Sequence, residues 1–171
     1  MNNRADEPRQ ATANFLEVTY MKNRDHFRLT LATALENSRL HLSYADGTDF
    51  NVDLSDWVKS TSCLNPLQDP SLFTTARLSE WGRAVEFGKG EIDLAADNLR
   101  NLAIEQSGGI GHERIGNWMH ANNLTLNSAA EVLGISRRML AYYRNGEKSI
   151  PRHIWLACVG WETLHKHGEA A

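Results

Sequence analysis

The segment Leu124–Gly146, LTLNSAAEVLGISRRMLAYYRNG, decides the fold of the C-terminal part of the chain. Three apolar residues at spacings of three and four would share one helix face: Ala129, Ala130 and Leu133. Thr125 can cap this helix, because its hydroxyl can accept a hydrogen bond from an unpaired amide. Gly134 tolerates the left-handed backbone that ends a helix. The pattern therefore predicts a helix between Thr125 and Gly134.

A second helix is predicted directly after this turn. Ile135 returns the chain to the core, and Ser136 can cap a helix whose inward face carries Leu140 and Tyr143. Its outward face carries Arg137, Arg138, Ala141, Tyr142 and Asn145. Two arginines in the first turn conflict with the positive end of the helix macrodipole. An external anion, such as a DNA phosphate, would relieve this conflict.

The two-helix segment resembles the Cro/cI-type (lambda-repressor-like, XRE) helix-turn-helix. The matching positions are Leu124, Thr125, Ala130, Leu133, Gly134, Ile135, Ser136, Leu140, Gly146, Lys148 and Pro151. Leu126 stands where that family usually has a Gln that touches the DNA backbone, and Arg144 stands where a Glu is common. The resemblance implies an all-α domain whose second helix lies in the major groove. The alternative is a helical hairpin that packs and binds nothing.

We expect double-stranded DNA to contact the polar and small side chains of this region. The predicted contacts are Thr125, Ser136, Arg137, Arg138, Ala141, Tyr142, Arg144, Asn145 and Lys148. Arg137 and Arg138 would reach guanine edges or phosphates, and Ser136 would meet phosphate. Tyr142 and Asn145 would position or read further along, while Arg144 and Lys148 would contact the backbone.

The charge distribution separates the chain into two parts. The net charge of −3 divides into 11 basic and 16 acidic residues over 1–106, and 7 and 5 over 107–171. An acidic domain joined to a small DNA-facing domain would produce this asymmetry. Because the positive charge is modest, a monomer would bind DNA weakly, and we expect a homodimer.

The N-terminal part has the alternation of antiparallel strands. Strands are predicted at Phe15–Tyr20, at Phe27, Leu29 and Leu31, and in a hairpin that turns at Asp46-Gly47. Asp53 or Ser55 would cap a short helix, and a loop with Pro66 and Pro70 would place Leu67, Leu72 and Phe73 in the core. Strands follow near 75–78 and 84–87, and Asp93 would cap a helix that ends at Gln106. These elements predict an α+β unit, which a helical domain follows.

This unit also resembles a small uncharacterised bacterial domain family. The shared motifs are Asp53-Leu54-Ser55, the segment Leu67–Phe73 and a closing strand, turn and helix from Ala84. Some relatives are fused to a helix-turn-helix, and others belong to toxin–antitoxin-like pairs. The resemblance therefore implies, as an alternative function, an antitoxin-like module that binds a protein partner and uses DNA binding for autoregulation.

The predicted organisation has four parts. Residues 1–13 form a frayed tail, 14–106 the α+β domain, 107–111 a flexible Gly-rich linker, and 112–168 the helix-turn-helix domain. The last helix, after Pro151, carries apolar residues on more than one face: Ile154, Trp155, Cys158, Val159, Trp161 and Leu164. It would therefore pack either on the N-terminal domain or on a second copy of the chain.

Other chemistry has little support in the sequence. The seven histidines lack metal-ligand spacing, and no catalytic motif is present, so we expect no metal, no cofactor and no enzyme activity. Carboxylates that converge in a pocket would instead indicate an enzyme in the N-terminal domain. Trp57 and Trp81 are expected in the core, although with Lys89 they could line a small-effector pocket. No apolar run could span a membrane, and two isolated cysteines, Cys63 and Cys158, fit buried thiols of a cytoplasmic protein.

Overall fold

The structure is a computed structural model that describes residues 25–166. The predicted tail at 1–13 and the predicted strand at Phe15–Tyr20 lie outside these residues. After a 3-10 turn at Asp25–Phe27, the N-terminal half contains a three-stranded antiparallel sheet of β1 (Leu29–Leu35), β2 (Arg39–Tyr44) and β3 (Asp49–Asp53).

The predicted hairpin is confirmed as β2 and β3. Leu40 faces Val52 across the two strands, and Leu42 faces Phe50. At the turn, the Asp46 carboxylate accepts a hydrogen bond from the Thr48 amide at 3.1 Å. The turn chemistry and the strand alternation thus fix the same register, which buries Leu40, Leu42 and Val52 completely.

The alternation predicted at Phe27, Leu29 and Leu31 is wrong at both ends. Phe27 is buried but belongs to the 3-10 turn, and Leu31 in β1 is 45% exposed. A register shift between Leu29 and Leu31 accounts for the second error, because one irregular residue moves the next side chain to the other sheet face.

The stretch after the hairpin is more regular than a loop. The predicted short helix is α1 (Ser55–Ser60), whose first amide is bound by the Asp53 carboxylate at 2.8 Å. The loop predicted around Pro66 and Pro70 is wrong: a 3-10 helix covers Ser62–Gln68, and α2 covers Pro70–Phe73. Pro70 lies in the first turn of α2, where its missing amide hydrogen costs nothing. The predicted burial of Leu67 and Phe73 is confirmed, and Leu72 is partly buried.

A second antiparallel sheet completes the N-terminal half. It contains β4 (Arg77–Leu78), β5 (Ala84–Phe87) and β6 (Ile92–Ala95), and α3 (Ala96–Gln106) follows. The prediction that Asp93 caps this helix is wrong, because Asp93 pairs with Glu86 inside β6. Leu94 therefore enters the core from a strand, and α3 begins after Ala95 without a side-chain cap.

The C-terminal half consists of helices α4 (Glu113–Ala121), α5 (Leu126–Val132), α6 (Arg137–Arg144) and α7 (Arg152–Lys166). Their core is apolar, and its fully buried members are Ile115, Ala129, Leu140 and Cys158. Antiparallel sheets in the first half and helices in the second confirm the predicted α+β class.

The two halves are in contact at the Gly-rich segment and beyond. A Cβ on Gly111 would overlap the Asn101 side chain of α3, and the Glu113 amide donates to that Asn101 oxygen at 3.1 Å. The Arg114 guanidinium donates to the Glu105 carboxylate at 2.6 Å. The start of α4 is therefore fastened to α3, while the boundaries of the domains stay a prediction.

Two residues lie outside the core that was expected to hold them. Cys63 is exposed, whereas Cys158 is buried, and burial raises the pKa of the Cys158 thiol to about 11. Trp81 is 67% exposed, and Trp57 is only partly buried. None of the helices within residues 25–166 has the length and apolar character needed to cross a bilayer.

Candidate nucleic-acid interface

The turn between α5 and α6 is built by local side-chain and backbone chemistry. Thr125 accepts a hydrogen bond from the Ser128 amide at 3.2 Å, and Ser128 Oγ accepts one from the Thr125 amide at 2.9 Å. This reciprocal capping box fixes the start of α5. Gly134 then ends the helix with a φ of +64°. The predicted caps at Thr125 and Gly134 are confirmed.

Helix α6 is capped and oriented as the sequence predicts. Ser136 Oγ accepts a hydrogen bond from the Met139 amide at 3.2 Å. The inward face is buried, with Leu140 at 0% exposure and Tyr143 at 8%. The opposite face carries exposed side chains, among them Arg137, Arg138 and Arg144.

Arg137 and Arg138 both lie exposed at the start of α6. No acidic residue lies in the first turn of this helix. Among residues 25–166, neither arginine has an acidic side chain within ion-pair distance. The positive charge at the positive end of the helix is thus not compensated by an acidic side chain within the described part of the chain.

Tyr142 organises two of the predicted cations. Its phenol oxygen accepts a hydrogen bond from Arg138 Nε at 2.6 Å, and the guanidinium carbon lies 5.4 Å from the ring centre. The Lys148 ammonium lies 5.3 Å from the same ring. Cations at this distance are attracted to the ring face, so Tyr142 holds Arg138 and Lys148 near each other.

These residues line a groove beside the outward face of α6. Its volume is about 440 Å³, and its lining includes Ser136, Arg138, Tyr142 and Lys148. Glu147 also lines the groove, and the sequence analysis had not included it in the site. The sequence indicates only that Glu147 lies between Gly146 and Lys148. Whether its side chain enters the groove depends on the turn after α6.

The other predicted residues are outside the groove. Arg137, Arg144 and Asn145 are exposed, and Ala141 is half-buried. Thr125 is exposed, and its hydroxyl already serves the cap of α5. The structure thus brings together Ser136, Arg138, Tyr142 and Lys148, while the others surround them or lie apart.

The N-terminal half contacts the end of α6, which the sequence did not indicate. His26 Nε2 lies 3.1 Å from the Asn145 carbonyl oxygen and donates to it when that nitrogen carries a hydrogen. Burial lowers the pKa of His26, and the Arg100 charge adds to this effect, while the bond to Asn145 opposes it. Phe27 lies against Gly146, where an added Cβ would come within 2.7 Å of its ring edge. His26 and Asn145 are 119 positions apart in the sequence. No local sequence pattern could therefore have revealed the contact.

Among the described residues, no three histidine, cysteine or carboxylate side chains are grouped closely enough to hold a metal ion. The carboxylates of the hairpin have structural partners instead. Arg100 and Thr48 donate to Asp46, which lowers its pKa against the raising effect of burial. Asp53 binds the Ser55 amide at 2.8 Å.

Comparison with known proteins finds a relative among solved structures. No protein-family model and no curated protein matches it. One solved structure, the "Putative DNA Binding Protein" of Nitrosomonas europaea ATCC 19718, is similar to it with 45% sequence identity and a TM-score of 0.72. The match covers 79% of this chain and 86% of that protein. At this identity and coverage, the chain belongs to the same family as the Nitrosomonas europaea protein.

Proposed function

We propose that this protein is a sequence-specific DNA-binding regulator of transcription whose helix-turn-helix is of the lambda-repressor-like class. The observation that carries the proposal is the outward face of α6, where Arg137 and Arg138 are exposed without an acidic partner among the described residues. The relative from Nitrosomonas europaea, which is named for DNA binding, supports the same function. In this proposal α6 lies in the major groove and the reader of base edges is its first turn.

The groove beside α6 has a separate role in the proposal. Phosphates are bound by cations and by amides at a helix N-terminus. Arg138 and Lys148, which Tyr142 holds together, form a clamp for one backbone phosphate, and the Ser136 hydroxyl at the start of α6 donates its O–H to the same phosphate while its oxygen accepts from the Met139 amide. Arg137 does not line this groove and is assigned to base edges, while Arg144 and Asn145 are assigned to DNA contacts at the other end of the helix.

The decisive experiment compares two double variants of equal charge. Arg137→Ala/Arg138→Ala removes two cations from α6, and Arg39→Ala/Lys59→Ala removes two exposed cations from the N-terminal half. Binding to genomic DNA fragments is measured by fluorescence anisotropy at two salt concentrations. Arg137 as a base reader contributes about 1–3 kcal/mol, and the loss of Arg138 also removes a phosphate contact, so the α6 variant loses at least tenfold in affinity and the control loses little. Equal losses in both variants would reduce the effect to net charge and refute the interface.

The protein binds DNA as a homodimer in this proposal, with α7 as the contact. The exposed face of α7 has Leu156, 57% exposed, and Val159, 42% exposed. Gly160 lies on the same face, four residues after Leu156, and nothing lies within 4 Å of where its Cβ would be. Glycine inside a helix costs about 1 kcal/mol relative to alanine. Packing within the chain does not require a glycine at position 160, whereas close approach of a second α7 would.

This surface is tested by the mass of the protein in solution. Leu156→Glu places a charge on the exposed face of α7 and should convert a dimer into a monomer, whereas Ser60→Glu, the same added charge at an exposed residue of the N-terminal half, should not. A strict monomer for the unmodified chain at micromolar concentration would remove the dimer from the proposal. DNA binding by α6 would then stand alone.

A second candidate function is the antitoxin-like one, in which the N-terminal half binds a protein partner. The observation that favours it is Trp81, a large apolar side chain that is 67% exposed. Tryptophan is enriched at the centre of protein interfaces. A stoichiometric partner that co-purifies with the unmodified chain and is lost with Trp81→Ala would support this function, and retention of the partner by Trp81→Ala would contradict it.

A further inference from the structure

A cleft of about 740 Å³ lies between the two halves of the molecule, beside the contacts that join them. Its walls are formed by the hairpin and α3 on one side and by α6 and the loop after it on the other. This volume is in the range of small-molecule sites, which are often found where two structural units meet. The cleft adjoins the groove on the outward face of α6, because Met139, Glu147 and Lys148 line both of them. Arg100 and Tyr143 line only the cleft.

The polar centre of the cleft is Arg100, whose side chain is 11% exposed. One of its terminal nitrogens donates to the His26 carbonyl at 2.6 Å and to Thr48 Oγ1 at 2.9 Å, and the other donates to Asp46 at 2.7 Å. A guanidinium has five N–H groups, so Nε–H and one further N–H have no partner among the described residues. The guanidinium also lies 4.8 Å from the Tyr44 ring centre, which holds it in place.

The remaining lining is largely apolar with charges at the loop. Phe50, Ile104, Ile110 and Met139 provide the apolar surface, and Lys148 adds a second cation. Of the two carboxylates, Asp46 is already bound by Arg100, and Glu147 is left as an acceptor for a hydrogen-bond donor. A ligand that fits this lining has an apolar body and an anionic group for Arg100.

We propose that the cleft is an effector site for a small amphipathic carboxylate. The carboxylate accepts hydrogen bonds from the two open N–H groups of Arg100, and the apolar body lies against Ile104 and Met139. Because Met139 belongs to α6 and Lys148 to the phosphate clamp, the bound ligand contacts the back of the DNA-binding surface. Ligand and DNA then alter each other's affinity by the same factor, as linkage requires. This coupling, unlike the binding itself, rests on the proposed function.

Binding is tested with the probe 3-phenylpropionate and its uncharged analogue 3-phenylpropan-1-ol. Ligand-observed NMR on the full chain measures both affinities directly and without DNA. We expect millimolar or tighter binding of the carboxylate and at least tenfold weaker binding of the alcohol. Equal binding of the two compounds, or no binding of the carboxylate at several millimolar, would overturn the proposal.

A pair of variants at one position shows whether the probe is in the cleft. Ser149 is exposed and lines the cleft. Ser149→Trp fills the space without removing a buried contact and should abolish binding, whereas Ser149→Ala leaves the cleft open and should retain it. Unchanged binding in Ser149→Trp would place the probe elsewhere and refute the site.

The coupling is measured by titrating DNA with and without saturating 3-phenylpropionate. A change of threefold or more in DNA affinity for the unmodified chain, absent in Ser149→Trp, is the expected result. No change would refute the effector role while leaving the binding site intact. Failure of the chain to bind DNA at all would refute the proposed function, and the NMR result would still decide the site.

Discussion

The contact between Phe27 and Gly146 gives the sharpest test of the structure, through Gly146→Ala. Gly146 has a φ of +71°, and an added Cβ would lie 2.7 Å from Phe27 Cζ and 3.3 Å from His112 Cγ. The left-handed backbone costs an L-residue about 1–2 kcal/mol, and overpacking of a rigid ring costs about 1–3 kcal/mol. The free energy of unfolding should therefore fall by about 2–5 kcal/mol, measured by urea denaturation followed by circular dichroism.

Gly134→Ala is the matched control for this substitution. Its φ of +64° carries the same backbone cost, but nothing lies within 4 Å of its added Cβ. We expect Gly134→Ala to lose only about 1–2 kcal/mol. In a Phe27→Ala background, the cost of Gly146→Ala should shrink towards that of the control, with a small remainder from the His112 ring. If Gly146→Ala and Gly134→Ala were equally destabilising in the unmodified chain, the reasoning that joins the two halves at Phe27 would be refuted.

Three further predictions concern the site and its support. Ser136→Ala should reduce the free energy of unfolding by about 1 kcal/mol, because the Met139 amide loses its hydrogen-bond acceptor. Thermal denaturation measures this loss, and Ser136→Asp, which keeps an acceptor, should retain the stability. Tyr142→Phe should weaken DNA binding by up to about tenfold, because it removes one hydrogen bond that positions Arg138 and contributes about 1 kcal/mol. Fluorescence anisotropy measures the affinity, and an unchanged affinity would show that Tyr142 does not position Arg138. The folded-state pKa of His26 lies below the ordinary value of 6.5. Its contribution to stability is therefore fully present above pH 6.5 and is lost as the pH falls from 6.5 through the lower folded-state pKa. His26→Gln should flatten this part of a plot of the urea midpoint against pH, and an unchanged slope would contradict the prediction.

Local chemistry made the helical half and the hairpin predictable. The caps at Thr125 and Ser136 and the turn at Asp46 each satisfy backbone groups within a few residues, so the sequence alone contains the whole interaction. The inward face of α6 followed from its period, because Leu140 packs on α5 in the same short segment.

The errors came from positions where a distant partner overrides the local pattern. Asp93 has the chemistry of a cap but is used in β6, because Glu86 pairs with it across the sheet. Leu31 alternates correctly in the sequence, but the irregularity in β1 turns it outward. Trp81 is exposed although its size favours burial. The residue types of Asp93, Leu31 and Trp81 do not by themselves indicate where each side chain lies in the fold.

The candidate site shows the same division. The cations of α6 and their exposure were predictable from a single helix, whereas the grouping of Arg138 and Lys148 around Tyr142 depends on how the chain turns after Gly146. The cleft around Arg100 could not be predicted at all, since its lining comes from residues more than a hundred positions apart.

In the proposed function, the contact of His26 and Phe27 with Asn145 and Gly146 connects the tilt of α6 to two residues that are not among the proposed DNA contacts. If α6 lies in the major groove as proposed, substitution of His26 or Phe27 would change the angle at which the helix enters the groove while every proposed base-contacting side chain stays the same. Two relatives with identical α6 sequences could then prefer different operators. Grafting α6 alone onto another scaffold would accordingly transfer its side chains without transferring its preference.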